Sequence, residues 1–347
     1  MIENRLKKTA IITAVFAIIS LGVMFYRAAT KNVMIAEATG DQLQSTFNKE
    51  SFNLDIKVSN DAIKRLIIPL EADVRSDEIT LHDEYVNHQF VLYINGKDPD
   101  FYRNNALISS LENLNGATCT PISEKGDVCI TLFLDDMYES DTVLGDRTVE
   151  VTFKKPEAGD EKVVVIDPVD EYGAAVAPYL QKELVGIEGV KFYYTRISDS
   201  ERTVEAVKEF LSATEPVLYV QVGAMDESGA GGGIRTLFND RYFIRSFGNL
   251  EFADRLEAAA VSATGNSAIG LFPEEKENEL LMASKVPSAY VQIGNTTDES
   301  DKKRLSEESY QKKCATGIAD GIKNSLGVLY PEENEEGDAL QGIINGN

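Results

Sequence analysis

Apolar and polar residues alternate through much of residues 52–153. The runs FNLDIKVS, RLIIPLEADV, HQFVLYING, VCITLFLDD and RTVEVTFKK are short, rich in β-branched and aromatic residues, and separated by turns. Half-buried strands show this period of two. Strands this short and closely spaced predict a small β-sandwich over residues 52–153. Residues 154–162, KKPEAGDEK, have linker composition, with Pro, Gly and charges and no apolar period. Beyond them the pattern changes. Strand-like KVVVID leads to helix-like EYGAAVAPYLQKELVG, followed by strand VKFYYTR, helix ERTVEAVKEFLSAT and strand PVLYVQVGA. Strand GIRTLFN, helix NLEFADRLEAAAVSAT, strand SAYVQIGN and a last helix from about residue 304 to 326 complete the series. In that last helix Tyr310, Cys314, Ile318, Ile322 and Leu326 recur every four residues as one buried stripe. Alternating strands and helices predict an α/β domain over residues 163–328, with a largely parallel sheet flanked by helices. Pro178 must lie near the first turn of its helix or kink it.

The two ends of the chain read differently. Residues 9–26, TAIITAVFAIISLGVMFY, carry no charge and follow Arg5, Lys7 and Lys8. That length reaches the lower limit for a membrane-spanning helix. The preceding basic residues set residues 1–8 as a cytoplasmic tail, with everything after the helix extracytoplasmic. The competing reading is a secreted chain cut after a signal peptide, since Ala36-Glu37-Ala38 resembles a small-x-small cleavage site. Signal h-regions run about 7–15 residues, which favours the uncleaved anchor. Residues 27–51 are polar and aperiodic and read as a stalk; residues 329–347 read as an acidic, disordered tail.

A net charge of −23 removes some functions from consideration. Such a chain repels nucleic acid and anionic lipid surfaces, so non-specific binding to either is not expected. Cys119 and Cys129 bracket TPISEKGDV, a turn-forming stretch between two strands. A disulfide closing that hairpin and a pair of reduced thiols are both open readings. Cys314 is a core residue. The histidines, His82 and His88, both lie in the β-rich half, and the spacing HDEYVNH reads as a surface or turn pair with no third metal ligand in sight. The α/β half therefore has no histidine, which excludes Ser-His-Asp and Cys-His chemistry there and any metal site needing imidazole.

The stretch VVVIDPVDEYGAA, residues 163–175, has the form of a strand delivering a turn to a ligand-binding rim, because ligands gather at the carboxyl ends of strands in such sheets. SGAGGGIR, residues 228–235, is glycine-rich but lacks the Lys-Ser/Thr of a phosphate loop and leads into a strand, so it reads as a flexible surface loop. GNSAIG lacks the spacing of a nucleophile elbow.

In order along the chain, VVVIDP, VKFYYTR with its terminal Thr195-Arg196, Glu201-Arg202, LYVQVGA, SAYVQIGN and RLSEESYQKKCATGIADGI resemble the elements of the zinc-dependent N-acetylmuramoyl-L-alanine amidases of bacterial cell walls, the type 3 amidases. The resemblance runs from Val163 to about Gly327 and implies an amidase-like phosphorylase/hydrolase-type fold. It also implies a zinc site that this chain has lost. Val169-Asp170-Glu171 stands where the family has a turn with a zinc-binding histidine, so Asp170 is one degenerate position. Gly223 stands at the second histidine and Gln292 at the catalytic glutamate. Glu171 is a candidate remnant of the third ligand. Zinc is the family's cofactor, and with these ligands absent no cofactor is expected: catalytic zinc needs about three protein ligands and a base to manage the proton of its water. The β-rich half is similar to the localisation module of some cell-wall amidases through HQFVLYINGKDPDFY.

The expectation is thus a membrane-anchored, extracytoplasmic, catalytically silent amidase homologue. It would act as a peptidoglycan-binding or scaffold module, with muropeptide and division or sporulation proteins as partners. Arg196, Arg202 and Arg235 are candidate contacts for muropeptide carboxylates, against the simpler use of each in internal ion pairs. An alternative is an active peptidoglycan hydrolase with an atypical site of Asp167, Asp170 and Glu171 around a hard cation. Another is a structural ectodomain that binds a protein through its β-rich half.

Overall fold

The computed structural model describes residues 50–331, apart from 99, 124, 157–160, 198–201 and 276. The expected cytoplasmic tail, anchor and stalk up to residue 49, Glu201 and nearly all of the expected acidic tail lie outside the described residues. Among the described residues no helix is long and apolar enough to cross a membrane.

The first half contributes ten strands: β1 (Phe52–Asn53), β2 (Ile56–Val58), β3 (Leu66–Pro69), β4 (Ile79–Glu84), β5 (Gln89–Ile94), β6 (Leu107–Ser109), β7 (Leu114–Pro121), β8 (Val128–Leu134), β9 (Glu139–Leu144) and β10 (Thr148–Lys154), with the single turn of helix α1 (Phe101–Asn104) between β5 and β6. They form two five-stranded sheets, in the orders β1-β7-β8-β5-β4 and β2-β6-β3-β10-β9. Alternate residues of both sheets enter one core, including Leu66 and Ile68 from β3, Phe90 and Leu92 from β5, Ile130 and Leu132 from β8, and Val149 and Val151 from β10. Strands β4, β6 and β9 were not legible in the sequence. They are short or carry polar residues on the outer face, and ladder pairing rather than hydropathy holds them in place.

The β7–β8 hairpin corrects the disulfide reading. In its antiparallel register Cys119 is opposite Ile130, and Cys129 is opposite Thr120. The two cysteines are thus one residue out of step, and in a sheet a one-residue offset sends side chains to opposite faces. Cys119 is buried in the core, Cys129 lies on the outer face, and all three cysteines are free thiols. His82 pairs with Val91 in the β4–β5 ladder, and His88 is the left-handed residue just before the return strand.

The second half is built from β11 (Lys162–Pro168), α2 (Glu171–Leu184), β12 (Val190–Tyr194), α3 (Val204–Thr214), β13 (Leu218–Met225), β14 (Ile234–Phe238), α4 (Asn249–Thr264), β15 (Ala268–Pro273), α5 (Glu279–Ala283), β16 (Ser288–Asn295), α6 (Glu299–Leu305) and α7 (Glu308–Leu329). The sheet order is β12-β11-β13-β16-β14-β15. Its central strands are parallel, but β14 runs antiparallel to β16, so the sheet is mixed. Strand β15 escaped the sequence reading because its glycine and proline mask the pattern. The expected last helix is two: Asp298 caps α6 through the Ser300 and Asp301 N–H groups, and α7 starts after a break at Ser306 and Glu307. Pro178 sits in the middle of α2, well past the first turn.

The two faces of this sheet are chemically unlike. One presents Val164, Ile166, Val220, Val222, Ala289, Val291 and Ile293 to α2, α4 and α7, forming the largest apolar core. The α4–α7 contact is close because Gly317 and Gly321 lie on it; a Cβ on Gly317 would stand 2.6 Å from Ala260 Cα. The opposite face carries Val165, Tyr193 and Tyr219, which pack with Val207 and Phe210 of α3, Leu280 of α5, and Val86 and Met137 from the first half. The halves are thereby joined. Tyr85 meets Tyr193 edge-on with ring centroids 5.1 Å apart, and Glu139 Oε1 accepts hydrogen bonds from Lys191 Nζ at 3.0 Å and Tyr193 OH at 2.8 Å.

Candidate functional site

Toward the carboxyl ends of β11, β13 and β16 this second face turns polar. The register places Asp167 beside Gln221, Gln221 beside Tyr290, and Gly223 beside Gln292, and neighbouring residues of a ladder share a face. Asp167 is fully buried. Its Oδ1 accepts from Thr195 Oγ1 at 2.6 Å and pairs with Arg202 Nε at 3.1 Å. Its Oδ2 accepts from Tyr219 OH at 2.6 Å and Gln221 Nε2 at 3.0 Å. Gln221 Oε1 in turn accepts from Nδ2 of Asn278, whose Oδ1 caps α5 at Leu281 N. Burial and the Asp167 charge raise the Tyr219 hydroxyl well above the usual tyrosine range. The carboxylate is thus satisfied on every side, the condition under which a buried charge is tolerated.

Asp170 is the N-cap of α2. Its Oδ1 accepts from Gly173 N at 2.8 Å, and its Oδ2 reaches across to Ala224 N on β13 at 2.6 Å. Asp is a preferred N-cap because its carboxylate takes up the unpaired N–H groups of the first turn. Burial pushes this carboxyl up, against the pull of those N–H groups and of the Arg196 charge. Gly173 is required beneath it, since a Cβ there would lie 2.1 Å from Val222 O. Gly223 is equally constrained. A Cβ on it would stand 2.5 Å from Val169 Cγ2, 2.7 Å from Asp170 Oδ2 and 2.8 Å from Tyr290 OH. The volume into which a longer side chain at 223 would project is therefore occupied.

Gln292 Oε1 accepts from Arg235 Nε at 2.6 Å, and Arg235 Nη1 pairs with Glu227 Oε2 at 2.5 Å. Arg196 is buried and donates Nε to Pro168 O at 2.9 Å. Each expected substrate arginine thus has an internal partner: Arg196 the end of β11, Arg202 the Asp167 carboxylate, and Arg235 Gln292 with Glu227. Glu171 is exposed on the first turn of α2 and joins none of these groups. The expected alternative cation site of Asp167, Asp170 and Glu171 does not assemble, because the first two carboxylates face different partners and the third faces solvent. Among the described residues no three His, Cys, Asp or Glu side chains are grouped so as to hold a metal ion.

The site does not fit a catalytic zinc ion. Gly223 offers no donor atom, Asp170 uses both oxygens on backbone N–H groups, and Gln292 has no carboxylate to serve as a base. The glycine-rich loop beside it, expected to be flexible, is tied down instead. Asn295 Nδ2 donates to Glu227 O and Gly231 O, both at 2.8 Å, and buried Asp301 accepts from Gly233 N at 2.7 Å. Thr195, Tyr219, Gln221, Tyr290 and Asn278 were missed in the sequence. The signal for two of them was present: Tyr219 and Gln221, together with Gly223, interrupt an otherwise apolar strand at alternate positions, as residues sharing one face of a strand do.

Residues 170–324 match the family model described as N-acetylmuramoyl-L-alanine amidase. The chain is 26% identical over 135 residues to the uncharacterized protein YqiI of Bacillus subtilis (strain 168), a match covering 39% of this chain and 64% of that protein, so less than two thirds of the relative's length is spanned. Solved structures similar to it include the catalytic domain of CwlV, an N-acetylmuramoyl-L-alanine amidase from Bacillus (Paenibacillus) polymyxa var. colistinus. That pair has 20% identity and a TM-score of 0.43, covering 48% of this chain and 99% of that one. An N-acetylmuramoyl-L-alanine amidase from Clostridium difficile 630 is similar at 19% identity and a TM-score of 0.44, covering 48% and 98%. Over residues 170–324, this chain is thus similar to the N-acetylmuramoyl-L-alanine amidase family.

Proposed function

We propose that this protein is a membrane-anchored, extracytoplasmic member of the amidase fold that has given up catalysis and serves as a peptidoglycan-binding or scaffold module in cell-wall processing. The observation that carries the reading is the filled volume at Gly223, where Val169, Asp170 and Tyr290 converge on the place a ligand side chain would need. Hydrolysis of an amide at neutral pH calls for an activated water and a group to take its proton, and the residues here provide neither. What they build is a fully paired polar floor under a rim of Asp170, Gln292, Arg235 and Glu227.

In this reading residues 9–26 anchor the chain, residues 27–51 form the stalk, and the two sheets of residues 52–153 are a β-sandwich that positions it, similar to the localisation module of cell-wall amidases. The rim would take a muropeptide by hydrogen bonding and hold it uncut. Cell-wall, division or sporulation proteins would be its protein partners.

The test uses the purified full chain. Bound metal is measured, and the protein is incubated with peptidoglycan while released stem peptide and sedimented protein are followed. The expected result is co-sedimentation without release and without stoichiometric zinc. Stoichiometric zinc with stem-peptide release would overturn the reading, and failure to sediment would remove its binding role.

A further inference from the structure

Residues 239–248 join β14 to α4 and read NDRYFIRSFG. The base of this loop is fastened from both sides. Buried Asn239 donates Nδ2 to Met282 O at 3.1 Å, and its Oδ1 accepts from Arg241 N at 2.9 Å. Buried Asn249 donates Nδ2 to Asn239 O at 2.9 Å and Tyr242 O at 3.2 Å, while its Oδ1 accepts from Ser288 N at 3.0 Å. Phe247 is buried beside Phe252, and Ser246 is held at φ 78°, a region unfavourable to residues other than glycine. Between these anchors the tip is turned outward. Phe243 is 87% exposed, Tyr242 42%, and Leu250 in the first turn of α4 54%. Arg241 and Arg245 flank the rings and are exposed, with Asp240 Oδ1 3.9 Å from Arg241 Nε.

Aromatic rings exposed between two arginines on a rigid base have the make-up of an interfacial lipid contact. Rings settle at headgroup level, guanidinium groups reach lipid phosphates, and aliphatic side chains enter the acyl boundary. We infer that residues 241–250 dock on the lipid bilayer that holds the N-terminal segment of the same chain. The inference rests on the anchored reading given above. The overall charge of −23 opposes approach to an anionic surface, but that field is screened beyond about 8 Å at physiological ionic strength. Residues 241–250 themselves carry two arginines and no acid, with Asp240 and Glu251 bordering them. Residues 27–49 can span at most about 80 Å, so the tether keeps the loop within reach at high effective concentration, and a small patch suffices.

The topology supplies the orientation. Phe238, just before the loop, pairs with Ala289 near the start of β16, whereas Asp167, Gly223 and Gln292 stand toward the carboxyl ends of their strands. Docking through the loop therefore turns the polar rim away from the bilayer and toward the wall.

The chain contains no tryptophan, so Phe243→Trp introduces a unique fluorophore at a side chain that makes little contact within the fold. Full chain carrying this substitution is reconstituted in mixed phosphatidylcholine and phosphatidylglycerol vesicles with and without headgroup-proximal doxyl lipids, beside a Val143→Trp control on the β-rich half. Flotation of both chains reads the anchor. The expected result is a blue shift and doxyl quenching at position 243, none at 143, and loss of the quenching when Arg241→Glu and Arg245→Glu are added. Flotation with a water-like, unquenched indole at 243 overturns the docking and leaves the anchor standing. Equal quenching at 243 and 143 also overturns it, and absence of flotation overturns both readings. A blue shift at 243 that persists without vesicles assigns the loop to a protein contact instead and likewise overturns it.

Discussion

Val169 Cγ2 stands 2.5 Å from the position a Cβ would take on Gly223. Two neighbouring strand ends thus compete for one volume, and the turn after β11 has won it. Glycine at 223 is the residue that allows Val169, Asp170 and Tyr290 to close over the floor.

Placing a histidine at this position should not create a metal site. Gly223→His overpacks a closed volume and is expected to cost about 1–3 kcal/mol, the usual range for forcing extra atoms into a packed region. Urea unfolding measures the loss, and elemental analysis should find no stoichiometric zinc in the variant. Undiminished stability would mean that the turn moves aside and the site is open.

Asp167 is the keystone of the polar floor. Asp167→Ala leaves Arg202, Tyr219 and Gln221 without their shared acceptor and is expected to lower stability by about 3–5 kcal/mol, as for removal of one partner of a buried ion pair. Thr195→Val removes one hydrogen bond to the same carboxylate and should cost about 1–2 kcal/mol. Chemical denaturation of both variants checks the order of the two effects.

The joint between the halves carries a pH dependence. Burial pushes the Asp83 carboxyl up to about 6, offset in part by hydrogen bonds from Ser140 and Tyr85 and reinforced by the nearby charges of Glu139 and Glu84. A raised carboxyl pKa means that the folded state favours the protonated form. Its contribution is therefore complete below the unfolded value near 3.8 and is lost as pH rises through about 6. The shift corresponds to about 3 kcal/mol at most. Asp83→Asn should be close to wild type in stability at low pH and more stable than wild type above pH 7, as measured by urea unfolding across that range. An unchanged difference at all pH values would remove Asp83 from the account.

Thiol reactivity separates the cysteines by face. Burial pushes the Cys119 and Cys314 thiols up to about 12, so neither is a nucleophile near neutrality. Under native conditions maleimide should modify Cys129 alone, and all three should react in urea, with mass spectrometry as the readout. Oxidation should not link Cys119 to Cys129, because they point to opposite sides of their sheet.

The strands and helices of the second half were legible because their periods are local properties of consecutive residues. Runs such as residues 218–225 bury both faces and must be apolar almost throughout, and the stripe from Tyr310 to Leu326 is set by helical geometry alone. The absence of histidine from residues 163–328 was equally plain. Short outer strands such as β4 and β9 were not legible, since their place depends on pairing partners distant in sequence.

The sequence by itself determined most element types of residues 163–328 and the absence of histidine there, for these follow from composition and local period. Only the tertiary structure decided what surrounds Gly223. Asp170 and Glu171 are neighbours in sequence, yet one is drawn inward as a helix cap bridging to Ala224 and the other is left in solvent. Arg196, Arg202 and Arg235 look alike as letters, and each is committed to a different internal partner. Cys119 and Cys129 flank one turn and are parted by a register of one residue. In each case the outcome turns on which atoms the packed chain brings within a few ångströms, and spacing along the chain does not encode that distance.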